Sequence, residues 1–311
     1  MSRGVAALTV ASVLLAVCLA LGAGEVWINP LHPLSDMERT ILWELRLPRL
    51  LIAFAVGGLL AMAGSWFQVL LGNPLAEPYV LGVAGSSAVG AILTLMLIST
   101  SIVLMSAGAF AGAVAGIALM MAFVHLGSGR LLLAGVVLAA FWSALITLLL
   151  ALMPNRDIGL AFAWMMGDLS TSAIPIPLLL LFWFAALIAG LVLSPKLDAL
   201  LLGEKHAMLL GVNVSALRGT VLLLASLVTA VAVTAAGTIG FVGLVIPHLM
   251  RLVFGSLHRY VLPASAVGGG LLLMLADSAA RTVIAPAELP VGVLTAMIGV
   301  PLFLWLLLRR N

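Results

Sequence analysis

Charge is scarce in this chain. Of 311 residues only 8% are Asp, Glu, Lys or Arg, against about 25% in soluble domains. That shortage excludes an ordinary soluble enzyme, a disordered chain and a nucleic-acid-binding domain, and the net charge of +3 is too small to alter the exclusion. Cysteine is almost absent too. Cys18 stands alone, so the chain forms no internal disulfide and offers no thiol pair to a metal. In its apolar run it reads as a small hydrophobe. Neither Lys196 nor Lys205 sits in a phosphate-binding glycine loop, so the chain cannot energise itself by ATP hydrolysis. No His-Glu-x-x-His pattern occurs and the histidines are scattered, which speaks against a zinc protease and predicts no metal site. His248, inside an apolar run, reads as a packed, hydrogen-bonded residue. Ion-driven carriers usually keep ionisable groups at mid-membrane depth. Here almost every charge sits at the end of an apolar run. Asp277 is the main exception, and Arg281 follows it by one helical turn, the spacing of an i,i+4 structural ion pair.

What the chain has in quantity is apolar length. Its 64% hydrophobic share is about 199 residues, enough for about ten spans of about 20 residues each. The runs are continuous rather than alternating, which excludes an outer-membrane barrel. Residues 1–24 have the outline of a secretory signal, but so many spans follow that they read as a retained first helix. Spans are predicted near 4–23, 50–71, 80–99, 102–125, 131–152, 176–194, 217–236, 239–255, 261–280 and 290–308. The seventh and eighth run together through Ala235-Ala236-Gly237-Thr238, leaving nine or ten, and charge placement decides. With ten spans and both termini cytoplasmic, the inner segments hold Arg3, Arg130, Lys196, Lys205, Arg218, Arg251, Arg259, Arg309 and Arg310. The outer ones hold only Arg39, Arg46, Arg49, Arg156 and Arg281, as the positive-inside rule requires. Glu25, Asp36, Glu38, Glu44, Asp157, Asp168 and Glu288 all fall outside. The expectation is one all-α, polytopic membrane domain over residues 1–311.

Gly108, Gly112 and Gly116 lie four apart, one face of a helix on which a neighbouring backbone can approach closely. Ala63-Gly64 and Pro74 recur as Ala236-Gly237 and Pro247 at one constant offset, a faint internal echo of the repeats that transporters use. Three segments carry more than composition. Arg46-Leu47-Pro48-Arg49 opens the second span, with Pro48 suited to a first helical turn. Its arginines stand on the outer face against the charge trend, either to pair with carboxylates of a docking partner or to anchor in lipid headgroups. Leu71-Gly72-Asn73-Pro74-Leu75-Ala76-Glu77-Pro78 is a short, rigid inner loop. Ala199 to Arg218 is the longest inner loop, with room for two short amphipathic helices broken at glycine that would suit a cytoplasmic motor.

From Gly24-Glu25 to the C-terminus, the sequence resembles the FecCD-type permease subunits of ABC importers for iron–siderophore complexes, haem and vitamin B12. The segments that carry the resemblance are Leu45-Arg46-Leu47-Pro48-Arg49, Asn73-Pro74-Leu75-Ala76-Glu77-Pro78, Leu133-Ala134-Gly135-Val136 and Trp164-Met165-Met166-Gly167. They continue with Gly240-Phe241-Val242-Gly243-Leu244-Val245-Ile246-Pro247-His248, Leu275-Ala276-Asp277 with Arg281, Glu288-Leu289-Pro290-Val291-Gly292 and Pro301-Leu302-Phe303-Leu304-Trp305.

The resemblance implies ten helices in the type II ABC importer permease fold, a homodimer with the substrate route on its two-fold axis, and residence in the inner membrane. It implies two copies of a separate ATPase on the cytoplasmic face and a periplasmic or lipid-anchored substrate-binding protein outside. No cofactor is expected on this chain, ATP and Mg being held by the ATPase. By the same likeness, Arg46, Arg49 and Arg281 receive acidic residues of the binding protein, and reversing the charge of Arg46 and Arg49 is expected to weaken docking with little loss of folded permease. Asn73, Leu75 and the Gly127-Ser128-Gly129 turn match the inner gate. Glu204, Lys205, His206, Leu210, Gly211, Val212 and Arg218, within 199–218, match the coupling helices that seat on the ATPase. A ferric siderophore or haem is the first expectation for cargo, and cobalamin the alternative. The reading from a different class is a secondary carrier that works without an ATPase.

Overall fold

The computed structural model describes residues 13, 15–24, 26–29, 32–285 and 287–308. Half of the first predicted span, with Arg3, Glu25, Arg309 and Arg310, lies outside them. Residues 15–22 form α1. The chain continues through α2 (Asp36–Leu70), α3 (Val83–Leu97), α4 (Ile102–Met121), α5 (Ser128–Leu152) and α6 (Asn155–Met165). Then come α7 (Ile176–Leu201), α8 (Glu204–Leu209), α9 (Val214–Ala236), α10 (Val242–Phe254), α11 (His258–Thr282) and α12 (Val291–Leu308). Among the described residues there is no strand. Among the described residues, six helices are long and apolar enough to cross a membrane: α2, α4 with the 3-10 turn that follows it, α5, α7, α9 and α11. Three shorter apolar helices, α3, α10 and α12, occupy the other positions predicted after the first span.

A capping box starts α2: Ser35 Oγ accepts from the Glu38 N–H, and Glu38 returns a carboxylate to the Ser35 N–H at 2.9 Å. The helix widens to π geometry over Ile41–Arg46 and continues with Pro48 in the first regular turn. It then becomes the axis of the bundle. Its most apolar stretch is 89% buried, against 11% for α5. Glycine permits that depth. A Cβ on Gly57 would overlap the Gly269 carbonyl of α11, and one on Gly64 would overlap the Gly243 carbonyl of α10. The glycines spaced four apart on α4 serve α3 in the same way: Cβ atoms on Gly108, Gly112 and Gly116 would strike Thr94, Ser86 O and Ser86 Oγ.

The seventh and eighth spans are separate helices. α9 stops at Gly237 (φ +70), and α10 starts after Phe241, whose φ of +68 makes it the one non-glycine residue with positive φ among those described. The sequence echo has no structural counterpart, because Gly64 lies inside a helix and Gly237 ends one, while Pro74 lies in a loop and Pro247 within α10. α5 leaves Leu133, Val136, Val137, Phe141, Leu148 and Leu152 exposed. Such a face is at home against lipid or a second chain.

Candidate functional site

Charged and polar side chains collect at the two ends of the regular stretch of α2, Leu47–Leu70. From Arg49 to Gln68 the helix advances about 28 Å, close to the hydrocarbon thickness of a bilayer.

At the first end, Asp277 of α11 is fully buried between two arginines. Arg49 donates from Nη2 to its Oδ1 at 2.8 Å and from Nε at 3.0 Å, while Arg281 Nε reaches Oδ2 at 3.1 Å. Arg49 Nη1 continues to Glu288 Oε2 at 3.0 Å. Arg46 is buried as well and turns back to α1 and the loop after it, donating to the carbonyls of Leu21, Gly22 and Val26 at 2.9, 2.8 and 2.6 Å. These arginines are therefore structural ties and not loose surface groups. These contacts run against the expectation that Arg46 and Arg49 can be reversed in charge with little loss of folded protein. A carboxylate at either position would face carbonyl oxygens or Asp277. A cavity of about 370 Å³ still opens between them, lined by Gly24, Arg46, Arg49, Ser170, Arg281 and Glu288 among others.

At the opposite end, Gln68 donates to the Gly243 and Leu244 carbonyls and accepts from Arg251. Asp198, near the end of α7, pairs with His258 Nδ1 at 2.6 Å and accepts the His258 N–H at the start of α11. The segment 199–218 holds one short helix, not two. Asn213 Oδ1 caps Ala216 N–H, and from Val214 the chain runs without a breaker into the full length of α9, so the second expected helix is simply its first turns. Lys205, His206, Leu210 and Gly211 are exposed, with Leu202, Met208 and Leu209 beside them, and Leu209 is 86% accessible. Val212 instead packs beneath, against Ala199, Ala207 and Val214.

The gate residues fall on two connections. Asn73 Oδ1 accepts the Leu75 N–H at 2.9 Å and sets a tight turn, which leaves Leu75 44% exposed. Gly127, at φ +87, allows the sharp entry into α5, and Gly129 is open to its surroundings. Ser128 between them hydrogen-bonds to Glu204 at 3.2 Å and accepts from Arg218 at 3.3 Å, while Arg218 pairs with Glu204.

Sequence reasoning missed the partners of the break between α9 and α10. Glu77 accepts the Phe241 N–H, the Tyr79 hydroxyl accepts the Ile239 N–H, and Thr238 donates to the Met165 carbonyl. Backbone freed at membrane depth has to be satisfied by protein in this way. The signal was present in Glu77, the one acid in the loop 71–78. His248 meets Phe303 edge-on at 6.1 Å.

A family model described as the FecCD transport family matches residues 11–309. This chain belongs to the FecCD transport family. Among curated relatives, the vitamin B12 import system permease protein BtuC of Vibrio vulnificus is 40% identical over 309 residues, which cover 96% of this chain and 93% of the relative. The protein of that name from Vibrio cholerae is 41% identical over 305 residues, covering 96% and 92%. A solved inward-facing structure assigned to the metal-chelate type of ABC transporter superposes with a TM-score of 0.86 at 32% identity, covering 96% of both chains. PsaBC from Streptococcus pneumoniae matches at a TM-score of 0.59 and 15% identity over 86% of this chain and 92% of that one, a likeness of fold alone. This FecCD chain is thus an all-helical, multi-pass ABC transporter permease.

Proposed function

We propose that this permease imports cobalamin, with both termini cytoplasmic in the inner membrane, as one of two permease subunits driven by a separate ATPase. One observation carries the reading: 40–41% identity to vitamin B12 import permeases across 96% of the chain. The first expectation, a ferric siderophore or haem, gives way to its alternative on that ground. The metal-chelate structure at 32% identity keeps iron chelates as the second reading.

In this proposal the Arg46–Arg49–Arg281 end faces outward. Three guanidiniums against Asp277 and Glu288 leave one net positive charge around a cleft that suits an acidic side chain of a substrate-binding protein. Glu204 to Arg218 face the cytoplasm and seat on the ATPase, which holds ATP and Mg. The exposed Leu202, Met208, Leu209 and Leu210, rimmed by Lys205 and His206, supply an apolar contact of the kind protein partners cover. Asn73, Leu75 and Gly127–Gly129 form the inner gate. Cargo is bulky and is chosen by the binding protein, so no charged mid-membrane site is needed. The exposed apolar face of α5 is offered to the second permease copy.

Uptake into proteoliposomes that hold the permease, its ATPase and its binding protein tests the cargo. Cyanocobalamin is expected to accumulate, and a ferric hydroxamate supplied at equal concentration is not. Accumulation of the ferric chelate without cobalamin would reverse the order of the two readings.

A further inference from the structure

Ser128, Glu204 and Arg218 lie on three elements, α5, α8 and α9, and the proposed function gives them two separate tasks, gating and coupling. The fold brings them to one point. Glu204 Oε1 is shared: it accepts from Ser128 Oγ at 3.2 Å and from Arg218, whose Nη2 also donates to Ser128 Oγ at 3.3 Å. Ser128 therefore donates and accepts at once, which a hydroxyl can do and an alanine cannot. The Arg218 side chain is only 10% exposed although it sits at the border of an exposed segment, while that of Glu204 is 44% exposed. A guanidinium withdrawn from water in this way depends on its carboxylate partner.

The joints on either side turn at glycines of positive φ. Gly203 (φ +101) precedes α8 and Gly127 (φ +87) precedes α5, and a Cβ added at Gly127 would meet nothing within 4 Å. Left to those glycines, α8 could shift without moving α5. We propose that Arg218 is a positioning residue which, through Glu204 and Ser128, makes the coupling segment and the gate turn move as one body. Displacement of α8 then reaches the first turn of α5 through side chains instead of being lost in the glycine joints. The inference rests on the reading of 199–218 as the ATPase contact and 127–129 as the gate.

The experiment reads cargo moved per ATP hydrolysed by the complete complex of permease, ATPase and binding protein in proteoliposomes. Arg218→Glu and Glu204→Arg are each expected to lower that ratio at least about fivefold, the lower range of measured site–site couplings. The double exchange of the two is expected to return it to at least about half the native value. Ser128→Ala is expected to lower it, and Ser128→Thr to retain it, in protein whose melting temperature is native. A second measurement separates the two readings: Lys205→Cys is cross-linked to the ATPase. Cross-linking with an unchanged ratio in Arg218→Glu, Glu204→Arg and Ser128→Ala, or with hydrolysis and transport falling in parallel, overturns the transmission role alone. If the charge variants fail to fold, the Ser128 pair decides by the same ratio. Absence of the cross-link removes the coupling reading, and this inference with it.

Discussion

Arg49 and Asp277 are 228 positions apart in the sequence and meet with Nη2 2.8 Å from Oδ1, the carboxylate fully buried. Arg281 completes its neutralisation from the same helix. The pair ties the start of the regular stretch of α2, Leu47–Leu70, to the last turns of α11. Breaking a buried pair by removing one member typically costs about 3–5 kcal/mol, because the remaining charge is stranded. Asp277→Ala, which strands Arg281 and leaves Arg49 only Glu288, is expected to fall at the upper end of that range and Arg49→Ala below it. Thermal unfolding in detergent measures both. The double variant is expected to cost less than the sum, since the two share one interaction.

Arg46 makes a different prediction. Its three carbonyl acceptors belong to the end of α1 and the loop after it, so its charge serves as a clamp. Arg46→Glu is expected to lower the melting temperature sharply, with about 3 kcal/mol or more lost as three carbonyls, that of Gly22 buried, go unpaired beside a new anion. Arg46→Lys, with fewer donors and no fork, is expected to recover only part of it. Native stability in the Arg46→Glu protein would show that the clamp contributes nothing.

Glu77 stabilises the break before α10 by accepting the Phe241 N–H. Glu77→Ala is expected to cost about 1–3 kcal/mol, the penalty for a buried N–H left without a partner. Glu77→Gln keeps a carbonyl oxygen in place and is expected to stay near the native value. Equal losses in the two variants would refute the acceptor role.

Gly64 and Gly219 form a contrasting pair. A Cβ at Gly64 would overlap the Gly243 carbonyl, whereas at Gly219 the nearest atom is the flexible end of Met121 at 3.9 Å. Gly64→Ala is expected to force α2 and α10 apart and to reduce folded yield. Gly219→Ala, inside the helix α9, is expected to be neutral or to stabilise by about 0.5–1 kcal/mol. Folded yield and melting temperature, compared side by side, check both.

The helices were legible because a bilayer demands long apolar runs, and nothing else in a sequence looks like the runs at 131–152 or 176–194. The break at 237–241 was not. Its residues are as apolar as the spans they separate, and the side chains that make it possible, Glu77 and Tyr79, come from 164 and 160 positions away. The segment 199–218 was readable as an amphipathic connection, but its glycines suggested two short helices where the Asn213 cap sends the chain straight into α9. For Arg46, Arg49 and Arg281 the residue types and positions were visible, while their burial was not. Which carbonyl or carboxylate a guanidinium finds is decided by packing between helices distant in sequence. Glu288 illustrates this: it stood among the outer acids, and only the fold puts it 3.0 Å from Arg49.

The proposed function makes this permease a conduit moved by a separate ATPase. The most direct measurement is accumulation of radiolabelled cyanocobalamin in proteoliposomes, with the permease alone under a proton or sodium gradient compared with the permease joined by its ATPase, binding protein and Mg-ATP. Accumulation above equilibrium is expected only in the complete, ATP-supplied system. Uphill accumulation by the permease alone under an ion gradient would contradict it.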